Sequence, residues 1–300
     1  MALSGGDLTW FVYQGPPRNN GEGWFNGDRF FLSGHHLYQA REGVELATGI
    51  TGLGRETNEE RYDTPADIPE ANFVASVPTR RTLGCSVNIL GSTPRETREN
   101  YQRWIDNHPD GEPGKLWIFS SGAEPRYLYA RKSADAGVGT IEKEIGLLKR
   151  IEGMEWGWTS NSPYFYGMRA SHPLKRVGTT NKYQATFWNP STVKRVYPVV
   201  YIPGPGVWEL DLGGKRGKFR TPALAANEEA MIDFAPKNNS FLKRNKDTGV
   251  VTSLWPSMVG DRPNDWLSPQ TKNTYEATKI SGTGTATPRI EFTPLFSSWI

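Results

Sequence analysis

Glycine and proline decide most of what this chain can fold into. There are 32 of the first and 22 of the second in 300 residues, and they cut the sequence into runs too short for long helices. Between the cuts stand β-branched residues and 36 aromatics, 11 of them Trp. Such residues suit a pleated, half-buried surface, and Gly and Pro suit the tight turns between strands. Only one stretch reads clearly as a helix. Thr93 can cap it, Pro94 fits its first turn and Glu96 completes a capping box. Tyr101, Trp104 and Ile105 then form an apolar stripe at i, i+3, i+4. His108-Pro109-Asp110-Gly111 ends the pattern, so the helix is expected over about 94–107. The fold class that follows is mainly β with one α-helix.

The length corresponds to two domains at roughly 150 residues each, ample for sizeable cores. With 22% charged and 36% apolar residues, the chain has a globular composition rather than a disordered one. No apolar run reaches bilayer length, so membrane insertion is not expected. The opening MALSGGDLTW has neither a basic n-region nor an apolar h-region, which argues against a Sec-type signal. The single cysteine, Cys85, excludes an internal disulfide framework and a thiolate metal cluster. It falls on the apolar side of its strand and reads as a small buried hydrophobe. Charge is uneven: residues 1–169 carry 18 Lys/Arg against 22 Asp/Glu, and residues 170–300 carry 17 against 10. Neither half shows the concentrated basic stripe of a nucleic-acid site. Lys215-Arg216-Gly217-Lys218 and Lys243-Arg244-Asn245-Lys246 read as solvated hairpin tips.

Along the chain, short strand signals at 8–13 and 29–32 are separated by a GPPRNNGEG turn region. Residues 54–72 are polar and broken by Pro65 and Pro69, which predicts a long contact-making loop. Leu83, Cys85, Val87 and Ile89 alternate with small polar residues in a half-buried strand. After the helix come a strand pair at 115–119 and 126–131, a candidate strand at 140–151, and an aromatic segment from Trp156 to Gly167. Residues 168–180 are polar and aperiodic, which places a domain boundary there and gives domains 1–170 and 171–300. Beyond it lie strand signals at 183–188, 197–202, 207–212 and 230–234, then near 250–255, 274–280 and 288–296, at antiparallel-sandwich spacing. Pro198 shifts the expectation for its strand toward an edge or bulge.

Chemistry is hard to find. Of the four histidines, His35 and His36 are adjacent and in a strand point to opposite faces, while His108 and His172 stand alone; turn positions explain them better than metal ligation. No nucleophile elbow, Walker A, zincin or EF-hand pattern occurs. Gly213-Gly214-Lys215-Arg216-Gly217 lacks the GK[ST] and the helix of a phosphate loop and reads as a hairpin. Glu209 and Asp211 share one face of a strand, an arrangement commoner on a solvated sheet than in a glycosidase cleft. The sequence therefore predicts no catalytic, cofactor-binding or metal-binding residues, and not an enzyme.

The order of elements carries a resemblance. Arg81-Thr82-Leu83 running into Val87-Asn88-Ile89-Leu90-Gly91-Ser92-Thr93, the capped helix with Trp104, Pro113-Gly114-Lys115-Leu116-Trp117, Arg126-Tyr127-Leu128-Tyr129-Ala130-Arg131 and Ser162-Pro163-Tyr164-Phe165-Tyr166-Gly167 follow one another. This succession resembles the N-terminal domain of the distal tail (Dit-type) proteins of long-tailed bacteriophages, also known as minor tail proteins. Phe187-Trp188-Asn189, Tyr197-Pro198-Val199-Val200-Tyr201-Ile202-Pro203-Gly204-Pro205, Met231-Ile232-Asp233-Phe234 and Pro288-Arg289-Ile290-Glu291-Phe292 are similar to that family's C-terminal galectin-like sandwich. The resemblance covers nearly the whole chain. It implies an N-terminal split β-barrel that forms a ring, usually a homo-hexamer, at the virion tail tip, and a C-terminal antiparallel β-sandwich that projects outward. It also implies contacts with the tail tube protein, the tape-measure protein and the hub and fibre proteins, with DNA passing through the channel unbound. The mild acidity of residues 1–169 suits such a channel, because like charge avoids phosphate capture. The rival expectation is a carbohydrate-binding module with Trp208, Trp255 or Trp266 as glycan-facing platforms; a wall-degrading tail enzyme is a third.

Overall fold

The computed structural model describes residues 9–19, 24–33, 40–55, 58–63, 72–134, 136–137, 149–193, 195–211, 218–238, 240–257, 259–260 and 266–299. Two compact units emerge: Met1–Gly167 together with Phe296–Ile300, and Met168–Leu295. The architecture is mainly β, with one α-helix among the described residues.

The first unit contains β1 (Thr9–Gln14), β2 (Arg18–Asn19), β3 (Trp24–Phe25), β4 (Arg29–Ser33), β5 (Val44–Leu46), β6 (Asn58–Asp63), β7 (Asn72–Pro78) and β8 (Arg81–Leu90). After α1 (Pro94–Asp106) come β9 (Gly114–Ser120), β10 (Arg126–Lys132), β11 (Arg150–Ser160) and β12 (Phe165–Tyr166). Its main sheet runs β4-β1-β9-β10-β11-β8-β5, every pair antiparallel. The outer strands β4 and β5 approach each other, so the sheet nearly closes into a barrel. One-sided burial produces the alternation seen in β9, where Leu116 and Ile118 are buried and Lys115, Trp117 and Phe119 are not. In β11 a bulge between Ile151 and Met154 is made by Gly153 at φ +65°, a conformation that costs glycine little.

The helix begins as its residues dictate. Thr93 Oγ1 accepts from the Glu96 amide at 3.2 Å, and Glu96 Oε2 accepts from the Ser92 amide at 2.7 Å. Hydrogen bonds from Ser92 hold the Glu96 carboxyl below its ordinary pKa, so at neutral pH it is a carboxylate at the positive end of the helix. The helix packs on β8 and β11 and buries Trp104 completely. Around that indole stand Tyr13, Phe30, His108 and Trp156, with ring centroids 5.6, 5.0, 4.3 and 5.3 Å away. Burying a ring of this size contributes roughly 2–3 kcal/mol, so this aromatic cluster is the centre of the unit's core.

The second unit contains β13 (Ala170–Pro173), β14 (Lys175–Arg176), β15 (Lys182–Asn189), β16 (Val199–Pro203), β17 (Val207–Asp211), β18 (Lys218–Arg220) and β19 (Glu228–Asp233). It continues with β20 (Phe241–Asn245), β21 (Val251–Ser253), β22 (Val259–Gly260), β23 (Thr271–Ser281) and β24 (Arg289–Phe292); β25 (Leu295–Phe296) ends the strand succession. Two six-stranded antiparallel sheets, β13-β24-β16-β19-β20-β21 and β14-β15-β23-β17-β18-β22, share one core that includes Phe187, Val200, Trp208, Phe219, Ile232, Phe241 and Ile290.

Several expectations change. Residues 54–72 are not one long loop: β6 and β7 form an antiparallel hairpin. Its first strand gave no signal because all six of its residues are exposed, and alternation appears only where one face is buried. The aperiodic boundary segment holds β13 and β14, whose short outer positions likewise leave no pattern. Pro198 does not make an edge: β16 starts at Val199 and lies between β24 and β19, so the proline precedes the ladder instead of interrupting it. Phe296–Ile300 counts with the first unit, not the second, because Phe296 and Trp299 pack in the first unit's core. Most of the strand expected at 140–151 lies outside the described residues, and β11 begins only at Arg150.

Candidate assembly surface

The β6–β7 hairpin holds some of the most exposed apolar side chains among the described residues. Tyr62, Phe73 and Val74 are 53%, 59% and 62% exposed, and the Tyr62 and Phe73 rings meet edge to face at 5.8 Å. Among the described residues the ribbon pairs only with itself, and an isolated two-stranded hairpin is marginal in water. Tyr62, Phe73 and Val74 thus stand in solvent on a ribbon that has little core of its own. Its charges are mostly acidic: Glu59, Glu60 and Asp63 against Arg61. Glu60 accepts a hydrogen bond from the Tyr62 hydroxyl, which puts a carboxylate beside the aromatic pair.

Where the hairpin returns to the sheet, Arg81 is buried although it is charged. Its guanidinium donates to the carbonyl oxygens of Gly52 at 2.6 Å, Gly54 at 2.7 Å, Pro163 at 2.8 Å and Ser297 at 3.3 Å. The planar fork also lies 4.6 Å from the Phe165 ring centroid. Arg126 makes a parallel contact, donating to Ser298 O at 2.8 Å and stacking 3.9 Å from the centroid of Phe296. Two arginines thus clasp residues 296–298 by backbone oxygen and ring face, a geometry that suits a rigid fork and not an ammonium point charge.

The chemistry-bearing candidates occupy structural positions. His108 is buried, with Nδ1 at 2.8 Å from Trp104 O and Nε2 accepting from Trp158 Nε1 at 3.1 Å; burial pushes its pKa down to about 3. His172 stacks on Phe187 at 4.5 Å. His35 and His36 lie outside the described residues. Cys85 borders an open cleft of about 410 Å³ lined by Thr51, Gly84, Glu155 and Trp156, and burial pushes its thiol up to about 12, so it is no nucleophile at neutral pH. It is only partly buried, packed against the core. Glu209 binds Arg220 at 2.7 Å and Lys218 at 3.5 Å, and Lys218 also lies 3.9 Å from Asp211. The Arg220 bond holds Glu209 below its ordinary pKa, which disfavours a proton-donating role. The phosphate-loop look-alike at 213–217 lies outside the described residues; its flanks, Asp211 and Lys218, pair as neighbouring strands. Lys243, expected at a solvated tip, sits within β20 and pairs with Glu228 at 2.7 Å. Among the described residues there is no group of three or more His, Cys, Asp and Glu able to hold a metal, and no helix is long and apolar enough to cross a membrane.

Of the aromatic platforms, Trp208 is completely buried, its Nε1 donating to Pro203 O at 3.0 Å. It is a core residue because Trp208 and Leu210 share the inward side of β17, and it presents no ring to a sugar. Trp255 and Trp266 are partly exposed, one edge-on to Phe241 and the other 5.3 Å from the Arg195 guanidinium. Among the described residues of the second unit, the exposed tryptophan is Trp188, 52% exposed on β15. The alternation of β15, with Tyr183, Ala185 and Phe187 inward, carries that signal in the sequence.

No protein-family model matches the chain, and no curated protein matches it. Solved structures do. The SPP1 Dit protein (gp 19.1), described as a paradigm of the hub adsorption apparatus in phages infecting Gram-positive hosts, superposes with a TM-score of 0.58 at 14% identity over 96% of this chain and 99% of that one. The phage P2 baseplate in its activated conformation with Ca gives 0.53 at 7% identity, covering 96% and 98%. The same baseplate with Sr gives 0.52 at 7% identity, covering 95% and 98%. Both units of this chain therefore adopt, over nearly their whole length, the fold of the SPP1 Dit protein.

Proposed function

We propose that the chain is a structural component of a bacteriophage tail tip, a ring adaptor that joins the tail tube to the hub and fibre apparatus. The observation that carries this reading is the shared fold with Dit and baseplate proteins across both units. A likeness confined to one domain would say little about assembly; one spanning both follows the whole design. The exposed β6–β7 hairpin supports the same reading, since Tyr62, Phe73 and Val74 stand largely in solvent in the single chain and a ring would offer them a contact. The balance of 18 Lys/Arg against 22 Asp/Glu over residues 1–169 suits a ring whose channel passes DNA without holding it. In this role the chain works by self-association, as a homo-hexamer, and by contact with tube, tape-measure, hub and fibre proteins, not by catalysis.

Mass photometry and negative-stain imaging of the purified full chain test it. The expected result is a closed ring at six times the 33.6 kDa protomer mass. A particle that stays monomeric at every concentration overturns the ring. Exposed Trp188 on the outer face of β15 keeps a second reading open to the same preparation: a monomer that binds glycans and loses binding in Trp188→Ala would make the second unit a carbohydrate-binding module.

A further inference from the structure

The outer face of β8 and β11 has a gap in its side chains. Along these two strands Leu83, Val87, Met154, Trp156 and Trp158 turn into the core and are buried. On the opposite face Thr82 pairs with Thr159 and Ser86 with Glu155, but the pair between them is Gly84 with Gly157. The row continues on both sides. Thr51 bridges to Gly84, its amide 2.8 Å from Gly84 O, and the Ser133 amide donates to Gly157 O at 2.9 Å. Four neighbours in one row therefore carry side chains only at its two ends. Glycine permits the arrangement: a Cβ on Gly84 would meet Thr51 Oγ1 at 3.1 Å, and one on Gly157 would meet Ser133 Oγ at 2.5 Å. The result is the open cleft of about 410 Å³, a trough floored by peptide planes.

The polar groups of the trough fall into two sets. Thr51 Oγ1 is engaged by Gly84 O at 3.0 Å, and Thr48 Oγ1 accepts from the Ser86 amide at 3.1 Å. The Ser86 and Ser133 hydroxyls and the Glu155 carboxylate line the same space and make no hydrogen bond or ion pair with any described residue. Glu155 is exposed and is the one charged group among the lining residues. The trough thus offers acceptors, one negative charge and a flat floor without side chains. The carboxylate disfavours an anion. A compact ammonium has donors but no plane to lay on the floor. A guanidinium holds five donors in one plane and stacks on flat groups, so it can lie on peptide planes while its edge reaches a carboxylate and hydroxyls. This unit already uses that chemistry, with Arg81 and Arg126 set against main-chain oxygens and ring faces. The rim residues Thr48, Gly49 and Thr51 are exposed. An open trough does not surround a small molecule, so an occupant gains much of its affinity from what the group is attached to.

We propose that the trough over Gly84 and Gly157 receives the guanidinium of an arginine side chain presented by a partner protein, its plane on the glycine floor and its edge bonded to Glu155, Ser86 and Ser133. The inference goes beyond the ring reading and does not need it, because every group involved belongs to the first unit of one copy.

Saturation-transfer NMR on the full chain tests it with three probes: ethylguanidinium, a short peptide with one arginine between glycines, and the same peptide with lysine. The arginine peptide should saturate with a Kd of about 1 mM, the scale of one side chain's ion pair and hydrogen bonds. Ethylguanidinium and the lysine peptide should each bind more weakly. Glu155→Gln should weaken the arginine peptide about fivefold. Gly84→Ala should remove its saturation, because the added methyl group fills the floor while only Thr51 Oγ1 has to give way. Glu112→Gln, exposed and outside the trough, should change nothing. An unchanged thermal midpoint in Gly84→Ala separates a filled trough from a misfolded chain, and Glu155→Gln stands as a test without it. Equal binding of the lysine peptide overturns the planar group. Equal binding of ethylguanidinium and the arginine peptide overturns the partner protein as its source. No saturation by either guanidinium, or binding that both Glu155→Gln and Gly84→Ala leave intact, overturns the site, while the ring is judged separately by particle mass.

Discussion

The His108 imidazole lies flat against the Tyr13 ring at 4.0 Å, with one nitrogen near Trp104 O and the other accepting from Trp158. Both nitrogens are satisfied by a neutral ring that carries its proton on Nδ1; a second proton on Nε2 would face a donor. Burial, the dominant cause, therefore holds the folded-state pKa near 3 against an ordinary 6.5. As pH falls below about 6.5 the unfolded chain gains a proton that the folded chain refuses until about pH 3. The contribution to stability is full above pH 6.5 and is lost progressively down to about pH 3. Asp28, held low chiefly by its hydrogen bond from Arg103, adds to acid sensitivity only nearer the carboxylate range. Urea titrations between pH 4.5 and 6.5 should thus show a falling midpoint for the wild type and a flatter slope for His108→Gln. Equal slopes would mean that the histidine is not what titrates. The sequence placed His108 at the end of a helix and no further, since which atoms meet an imidazole depends on strands distant in the chain.

At the scale of elements, the signals that were legible are those written locally. The cap of α1 is one: a Thr, a Pro and a Glu at fixed offsets act within a single turn, and the hydrogen bonds follow. Thr93→Ala should cost about 1 kcal/mol, read as a shifted unfolding midpoint with an unchanged denaturant slope. The strands of the second unit were legible for a related reason. Tyr183, Ala185 and Phe187 face a core while Lys182, Thr186 and Trp188 do not, so a period of two is printed in the residues. The same reasoning fails for β6, whose Asn58-Glu59-Glu60-Arg61-Tyr62-Asp63 has solvent on both sides in the single chain. A strand exposed at every residue carries no alternation, so the segment that reads least like structure is a strand all the same.

For the whole molecule, the last residues matter more than their number suggests. Removing Phe296–Ile300 takes away a nearly buried Phe, the partly buried Trp299 and the Ser297 and Ser298 carbonyls that Arg81 and Arg126 use. It leaves Arg81 with three of its four carbonyl acceptors and half-buried Arg126 without the Ser298 oxygen, and together with the lost apolar burial it should cost about 3 kcal/mol or more. The truncated chain should lose hydrogen-exchange protection in β8 and β10 while β15 and β23 keep theirs. Equal loss in both units would contradict the assignment of residues 296–300 to the first. Arg81→Lys should share the defect, because an ammonium cannot reach four carbonyls in a plane.

The sequence by itself determined the class of this protein. Turn residues at close spacing forced short strands, one capped amphipathic segment forced the helix, and the scarcity of His and Cys left little from which to build a metal or nucleophilic site. These properties act over a few residues, so a linear reading reaches them. Tertiary structure alone decided which tryptophans are core and which are surface, so that Trp208 went in and Trp188 stayed out. It also decided that Arg81 holds the other end of its unit, and that separate segments bring Thr51, Gly84, Gly157 and Ser133 into one row. Each of those outcomes depends on pairing between residues far apart in the chain, where register rather than local preference sets what a side chain meets.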